Sequence, residues 1–149
     1  MSKKLNVLFL CTGNSCRSQM AEGWAHHLKS DIINAYSAGI EPKGLNPYAV
    51  DVMAEAGIDI SQYKSKHIDD LENILWDVVI TVCDNAQENC PYFPGNFKRI
   101  HKGFDDPPQI AKELAKKGAN PEEQIGVYRR VRDEIRSFIE NMPEIFYKG

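Results

Sequence analysis

A chain of 149 residues with 42% hydrophobic and 26% charged side chains has the size and balance of one packed domain, 1–149, which excludes a disordered or fibrous segment. Its formal net charge of −3 provides no general attraction to nucleic acid or anionic lipid, so any anion site must generate its own positive potential. No apolar run approaches the ~20 residues that span a bilayer. The basic start Met1-Ser2-Lys3-Lys4 is followed by an apolar run and a polar loop, with no small-residue cleavage site, so a reducing cytoplasm is expected. The chain is also expected to act as a monomer.

Leu5 to Leu10 reads as a buried strand, Gly13 and Asn14 break it, and Ser18 to Leu28 takes up helical periodicity. Ile32 to Tyr36 predicts a second strand, closed by a turn at Ser37-Ala38-Gly39. Asn46 then caps a helix running from Pro47 to Ala56 and stopped by Gly57. His67 to Leu75 suggests a short helix, Trp76 to Val82 a buried strand, and Phe97 to His101 a fourth strand. Gly103 to Pro108 reads as a loop, Gln109 to Glu123 as a surface insertion, and Pro121 to Met142 as a long amphipathic helix. Strands alternating with helices predict an α/β three-layer sandwich around a four-stranded parallel sheet, with ligands at the carboxyl ends of strands. Cys11 and Cys83 both fall at such ends.

The loop Cys11-Thr12-Gly13-Asn14-Ser15-Cys16-Arg17-Ser18 sets a thiol and a guanidinium six positions apart between a strand and a helix. Backbone N–H groups curled at a helix N-terminus favour a tetrahedral oxyanion, and Gly13 and Asn14 tolerate the positive φ that a curl needs. Arg17 can clamp two oxygens in its planar fork. The same field holds a thiol well below its usual pKa, which makes Cys11 the nucleophile. Ser18 is a candidate donor to that thiolate, and Asn14 a brace for the loop. His26 and His27, adjacent on a helix, cannot share a metal. Trp24 and Trp76 read as core, and Arg129, Arg130 and Arg132 as a solvated face. Cys11 and Cys16 have C-x₄-C spacing, but Cys83 and Cys90 are set too far apart for a usual zinc pattern, and no metal is expected.

These residues resemble the low-molecular-weight protein tyrosine phosphatase superfamily, whose loop is Cys, five residues, Arg, then Ser or Thr. The longer run Cys-Thr-Gly-Asn-Ser-Cys-Arg-Ser-Gln-Met-Ala-Glu-Gly, together with Tyr36-Ser37-Ala38-Gly39-Ile40 and Gly103-Phe104-Asp105-Asp106-Pro107, resembles its thioredoxin-coupled arsenate reductases. The resemblance implies that Asp106, immediately before proline, is the proton donor, and that Asp105 is loop structure. It implies that Thr12 to Ser18 bind arsenate, with phosphate or sulfate as competitors. It also implies that Cys11, Cys83 and Cys90 relay oxidation outward to thioredoxin, with no bound cofactor. On an ideal helix the seven positions from Cys83 to Cys90 span ~10 Å, beyond the ~7 Å limit for a disulfide, so pairing them requires that segment to loop out.

Two other readings stay open at this point. A phosphotyrosine phosphatase would use the same Cys11, Arg17 and Asp106, although Pro108 and Gln109 stand where such phosphatases usually carry aromatics. An oxyanion or redox sensor would use the loop without turnover. The chain also departs from the resemblance at Lys102, where the reductases often have tryptophan. A second departure is Lys66, near where some relatives place an acid that binds potassium together with residues like Asn14 and Glu22. No potassium site is expected here.

Overall fold

The computed structural model describes residues 3–83 and 93–147. The strands are β1 (Leu5–Cys11), β2 (Ile33–Gly39), β3 (Val78–Thr81) and β4 (Lys98–His101). They pair in parallel in the order β2-β1-β3-β4, with β1 inside the sheet. The helices are α1 (Arg17–Leu28), α2 (Pro47–Glu55), α3 (Pro107–Lys116) and α4 (Pro121–Glu140), joined by 3₁₀ turns at Ile68–Leu71 and Glu144–Tyr147.

Alternation along β1 divides the core. Val7, Phe9 and Cys11 join one cluster with Met20 and Trp24 of α1, Val52 and Met53 of α2, Ala111 of α3 and Val131, Ile135 and Ile139 of α4. Leu8 and Leu10 join a smaller cluster with Ala38, Ile68 and Val79, against which Trp76, Phe93 and Phe97 pack. The sandwich is therefore unequal: the buried faces of all four helices meet one side of the sheet, and the Ile68–Leu71 turn supplies a buried residue on the other. Burying a large side chain such as Phe9 or Ile135 stabilises the fold by roughly 1.5–3 kcal/mol.

Several boundaries differ from the sequence expectation. The second strand runs on through Ser37-Ala38-Gly39, because Leu10 and Cys11 pair with Ala38 and Gly39 and extend the ladder. The stretch expected as a helix from His67 to Leu75 forms only one 3₁₀ turn, capped by the His67 side chain on Asp69 N. The expected loop ends at Asp106, since Pro107 and Pro108 open α3, which fills the first half of the presumed insertion. Asn120 then starts α4 with a reciprocal cap to Glu123. Asn46 caps α2 as expected, accepting from Tyr48 N at 2.8 Å and Ala49 N at 3.2 Å.

Among the described residues, no helix is long and apolar enough to cross a membrane.

Candidate active site

The loop after β1 is held from outside by its carbonyl groups. Thr12 O accepts from Ile40 N at 3.0 Å and Glu41 N at 2.9 Å, and Gly13 O accepts from Lys43 N at 3.0 Å and Ser65 Oγ at 2.9 Å. Asn14 O accepts from Gln19 Nε2, and Ser15 O from Asn46 N, both at 3.0 Å. In a planar trans peptide, a carbonyl fixed outward sends the following N–H the opposite way, so these bonds shape the loop as an anion cradle.

Asn14 sets the curl. Its φ is +46°, and its side chain donates to Ser18 Oγ at 2.9 Å while accepting from Gln19 Nε2 at 3.0 Å and Lys66 N at 2.8 Å. Asn14 and Ser18 are fully buried behind the loop and do not line the cavity in front of it. Further back, Glu22 accepts from the Ser37 hydroxyl at 2.6 Å and lies 3.8 Å from the Lys66 ammonium, so the buried carboxylate has a cation tethered to the chain beside it.

The cavity has a volume of about 630 Å³ and is lined by Cys11, Thr12, Gly13, Ser15, Cys16 and Arg17, together with Asp106 from the distant 103–106 loop. Ile40, Glu41, Lys43, Asn46, Pro108 and Lys112 complete the lining. Cys11 and Cys16 are buried thiols outside any disulfide. Burial pushes the Cys16 thiol far up, an effect only partly offset by the Arg17 charge, so Cys16 stays protonated. Arg17 is 4% exposed; it donates through Nη1 to Phe104 O at 3.1 Å and places Nη2 3.7 Å from Asp106 Oδ1. Phe104 N in turn donates to Val82 O at 3.1 Å, which ties the Asp106 loop to the end of β3. Nucleophile candidate, guanidinium and proton-donor candidate thus share one cavity.

Cys83 is buried directly after that strand and is disulfide-bonded. Val82 N donates to Leu10 O at 3.0 Å, so the residues preceding Cys83 and Cys11 are joined across neighbouring strands. Cys90 lies outside the described residues. Among the described residues, no group of three or more His, Cys, Asp or Glu side chains is arranged to hold a metal ion.

Sequence reasoning missed the outer lining. Asn46 was read only as a cap, yet it also holds Ser15 O and reaches Tyr128 Oη at 3.4 Å. Lys43 and Lys112 carry no local signal, because only the fold brings them to the cavity. Of the three arginines of α4, Arg130 is exposed and Arg129 and Arg132 partly buried, and each is held in an ion pair: Arg129 and Arg132 with Glu55 of α2 at 2.9 and 3.2 Å, and Arg130 with Asp105 at 3.0 Å. Trp24 is core as expected, 2% exposed, and donates to Arg132 O at 3.1 Å.

Residues 6–144 match the family model described as low molecular weight phosphotyrosine protein phosphatase. An arsenate reductase of Bacillus licheniformis is 53% identical over 97% of this chain and 98% of its own. A solved arsenate reductase in a phosphate-binding state superposes with a TM-score of 0.68 at 32% identity, covering 95% of this chain and 98% of the other. A low molecular weight protein tyrosine phosphatase of T. tengcongensis superposes with the same TM-score of 0.68 at 26% identity, covering 95% and 99%. Backbone shape therefore does not separate reductase from phosphatase, whereas side-chain identity favours the reductases. The chain belongs to the low molecular weight phosphotyrosine protein phosphatase family, alongside relatives named arsenate reductase.

Proposed function

We propose that this chain reduces arsenate to arsenite, with Cys11 as the attacking thiolate and reduced thioredoxin restoring the thiols. The observation that carries the reading is the pairing of strand ends: Cys11 and Cys83 follow residues joined by the Val82 N to Leu10 O bond. Phosphate-ester hydrolysis needs one thiolate, whereas arsenate reduction needs two electrons from thiols, and a second cysteine stands at the neighbouring strand end.

In this mechanism Arg17 and the loop amides hold arsenate, and the Cys11 thiolate forms a sulfur–arsenic bond. Asp106 protonates the departing oxygen, which leaves as water. Cys83 then attacks the Cys11 sulfur, and the electron pair of the sulfur–arsenic bond stays on arsenic. Arsenite leaves, reduced by two electrons, and a Cys11–Cys83 disulfide remains. Cys90 attacks Cys83 and frees Cys11, and thioredoxin reduces the Cys83–Cys90 disulfide while its own dithiol is oxidised. A Cys11 thiol outside any disulfide, beside a disulfide-bonded Cys83, is the redox distribution expected after Cys90 has attacked and before thioredoxin acts. The cycle needs no resident cofactor, and the cytoplasm is where such a relay would be kept reduced.

The test is arsenite production with thioredoxin, thioredoxin reductase and NADPH, run beside p-nitrophenyl phosphate hydrolysis. Thioredoxin-dependent arsenite release supports the proposal. Efficient ester hydrolysis without arsenite release would assign the cavity to phosphatase chemistry, which the shared Cys11, Arg17 and Asp106 would serve equally well.

A further inference from the structure

The cavity holds two cations that the mechanism does not use. The aliphatic stem of Lys43 lies against the anion loop: a Cβ built on Gly13 would sit 3.4 Å from Lys43 Cγ and Cδ, and Lys43 N donates to Gly13 O at 3.0 Å. Lys112 stands on α3 one turn beyond Pro108, and both line the same cavity. Both lysines are exposed, and neither ammonium pairs with a carboxylate among the described residues.

Charge shows why they matter. Without the lysines, the charged side chains of the cavity are Arg17 against Glu41 and Asp106, a net negative set that becomes more so when Cys11 ionises. If Asp106 carries the proton it is to donate, the Cys11 thiolate takes its place in the balance. A doubly charged oxyanion would then approach a thiolate through a negative opening, although the loop amides below are built to hold an anion.

We propose that Lys43 and Lys112 form a cationic mouth that draws a dianionic oxyanion toward the Cys11 thiolate and favours doubly over singly charged anions. The loop selects tetrahedral shape, and the mouth selects charge. This rests on reading the cavity as an oxyanion site.

The experiment compares alkylation of Cys11 by anionic iodoacetate and by neutral iodoacetamide in reduced enzyme, at low and high salt. The variants are Lys43→Gln, Lys112→Gln, the double substitution, and Lys116→Gln, which removes the same charge from α3 outside the cavity lining. In the double variant the iodoacetate-to-iodoacetamide rate ratio should fall on the order of 10-fold and lose its salt dependence. The iodoacetamide rate reports an intact thiolate site and should hold. Protection of Cys11 by inorganic phosphate should weaken in parallel, and the arsenate defect should fall on kcat/KM more than on kcat at saturation. Lys116→Gln should leave the ratio as in the parent chain. An unchanged ratio in the double variant, or an equal loss in Lys116→Gln, overturns the proposal. Because alkylation needs no turnover, a falling ratio in an enzyme that releases no arsenite would sustain the mouth while removing the proposed reaction.

Discussion

Asp105 and Asp106 are chain neighbours that face different partners: the Asp105 carboxylate lies 3.0 Å from Arg130 on α4, and the Asp106 carboxylate 3.7 Å from Arg17 in the cavity. Asp106→Asn should therefore slow the first chemical step by about 10²–10⁴, the range for general acid catalysis. Asp105→Asn loses only a half-exposed ion pair, worth about 0–1 kcal/mol, and should be milder. Rapid-quench measurement of the first arsenite formed would rank the two, and a reversed ranking would move the acid to Asp105.

Cys11→Ser should abolish arsenate reduction and any ester hydrolysis, since a serine hydroxyl is not ionised in this field. Arg17→Lys should also fail badly. An ammonium cannot hold Phe104 O, face Asp106 and clamp an oxyanion at once, as the guanidinium fork can. Steady-state kinetics showing less than a few-fold loss of kcat/KM in Arg17→Lys would remove the proposed clamp.

The relay predicts two distinct failures. Cys83→Ser should block arsenite release while leaving hydrolysis of a small phosphate ester largely intact. Cys90→Ser should release about one arsenite per enzyme and then stall as a Cys11–Cys83 disulfide, which peptide mapping would detect. Full multiple turnover by Cys90→Ser with thioredoxin, or normal reduction by Cys83→Ser, would sink the three-cysteine order.

Cys16 provides a prediction in pH. Burial holds its folded-state pKa above the ordinary thiol value of about 8.5 that it takes in the unfolded chain. Above that pH the unfolded state binds fewer protons than the folded state, so stability falls as pH rises. The contribution is whole at neutral pH and erodes under alkaline conditions. Urea unfolding at pH 7.5 and 9.5 should show roughly 1 kcal/mol less alkaline loss in Cys16→Ala than in the parent chain. Equal losses in the two proteins would exclude Cys16 as the titrating group.

What could be read in advance was local. The apolar run of β1, the Gly13-Asn14 break and the Asn46-Pro47 cap each carry their signal within a few residues, and so place Cys11 and Arg17 at a strand-to-helix turn. The extension of β2 through Gly39 was missed because Ser37-Ala38-Gly39 has turn chemistry, and only pairing with Leu10 and Cys11 makes it strand. Helix α3 was missed because its Asp-Asp-Pro-Pro start has turn chemistry and it buries only Pro107 and Ala111. The Asn14 brace was legible in the sequence, but its partners Ser18 Oγ and Lys66 N, buried behind the loop, are fixed only by the fold. The arginines of α4 find their partners Glu55 and Asp105 at long range, which composition cannot reveal.

A Cβ placed on Gly39 would come within 2.6 Å of Thr12 O, 2.9 Å of Asn14 N and 2.9 Å of Cys11 O, all of them backbone atoms of the anion loop. The loop is thus moulded against the end of the neighbouring strand like a casting against its die, and its curvature depends on the emptiness of a position that never meets the anion. Even an added methyl group there would have to displace the cradle, since none of the three atoms belongs to a side chain that could turn aside. The tolerance of the oxyanion site for change is therefore set partly on β2, and a search confined to residues lining the cavity would overlook one of its narrowest constraints.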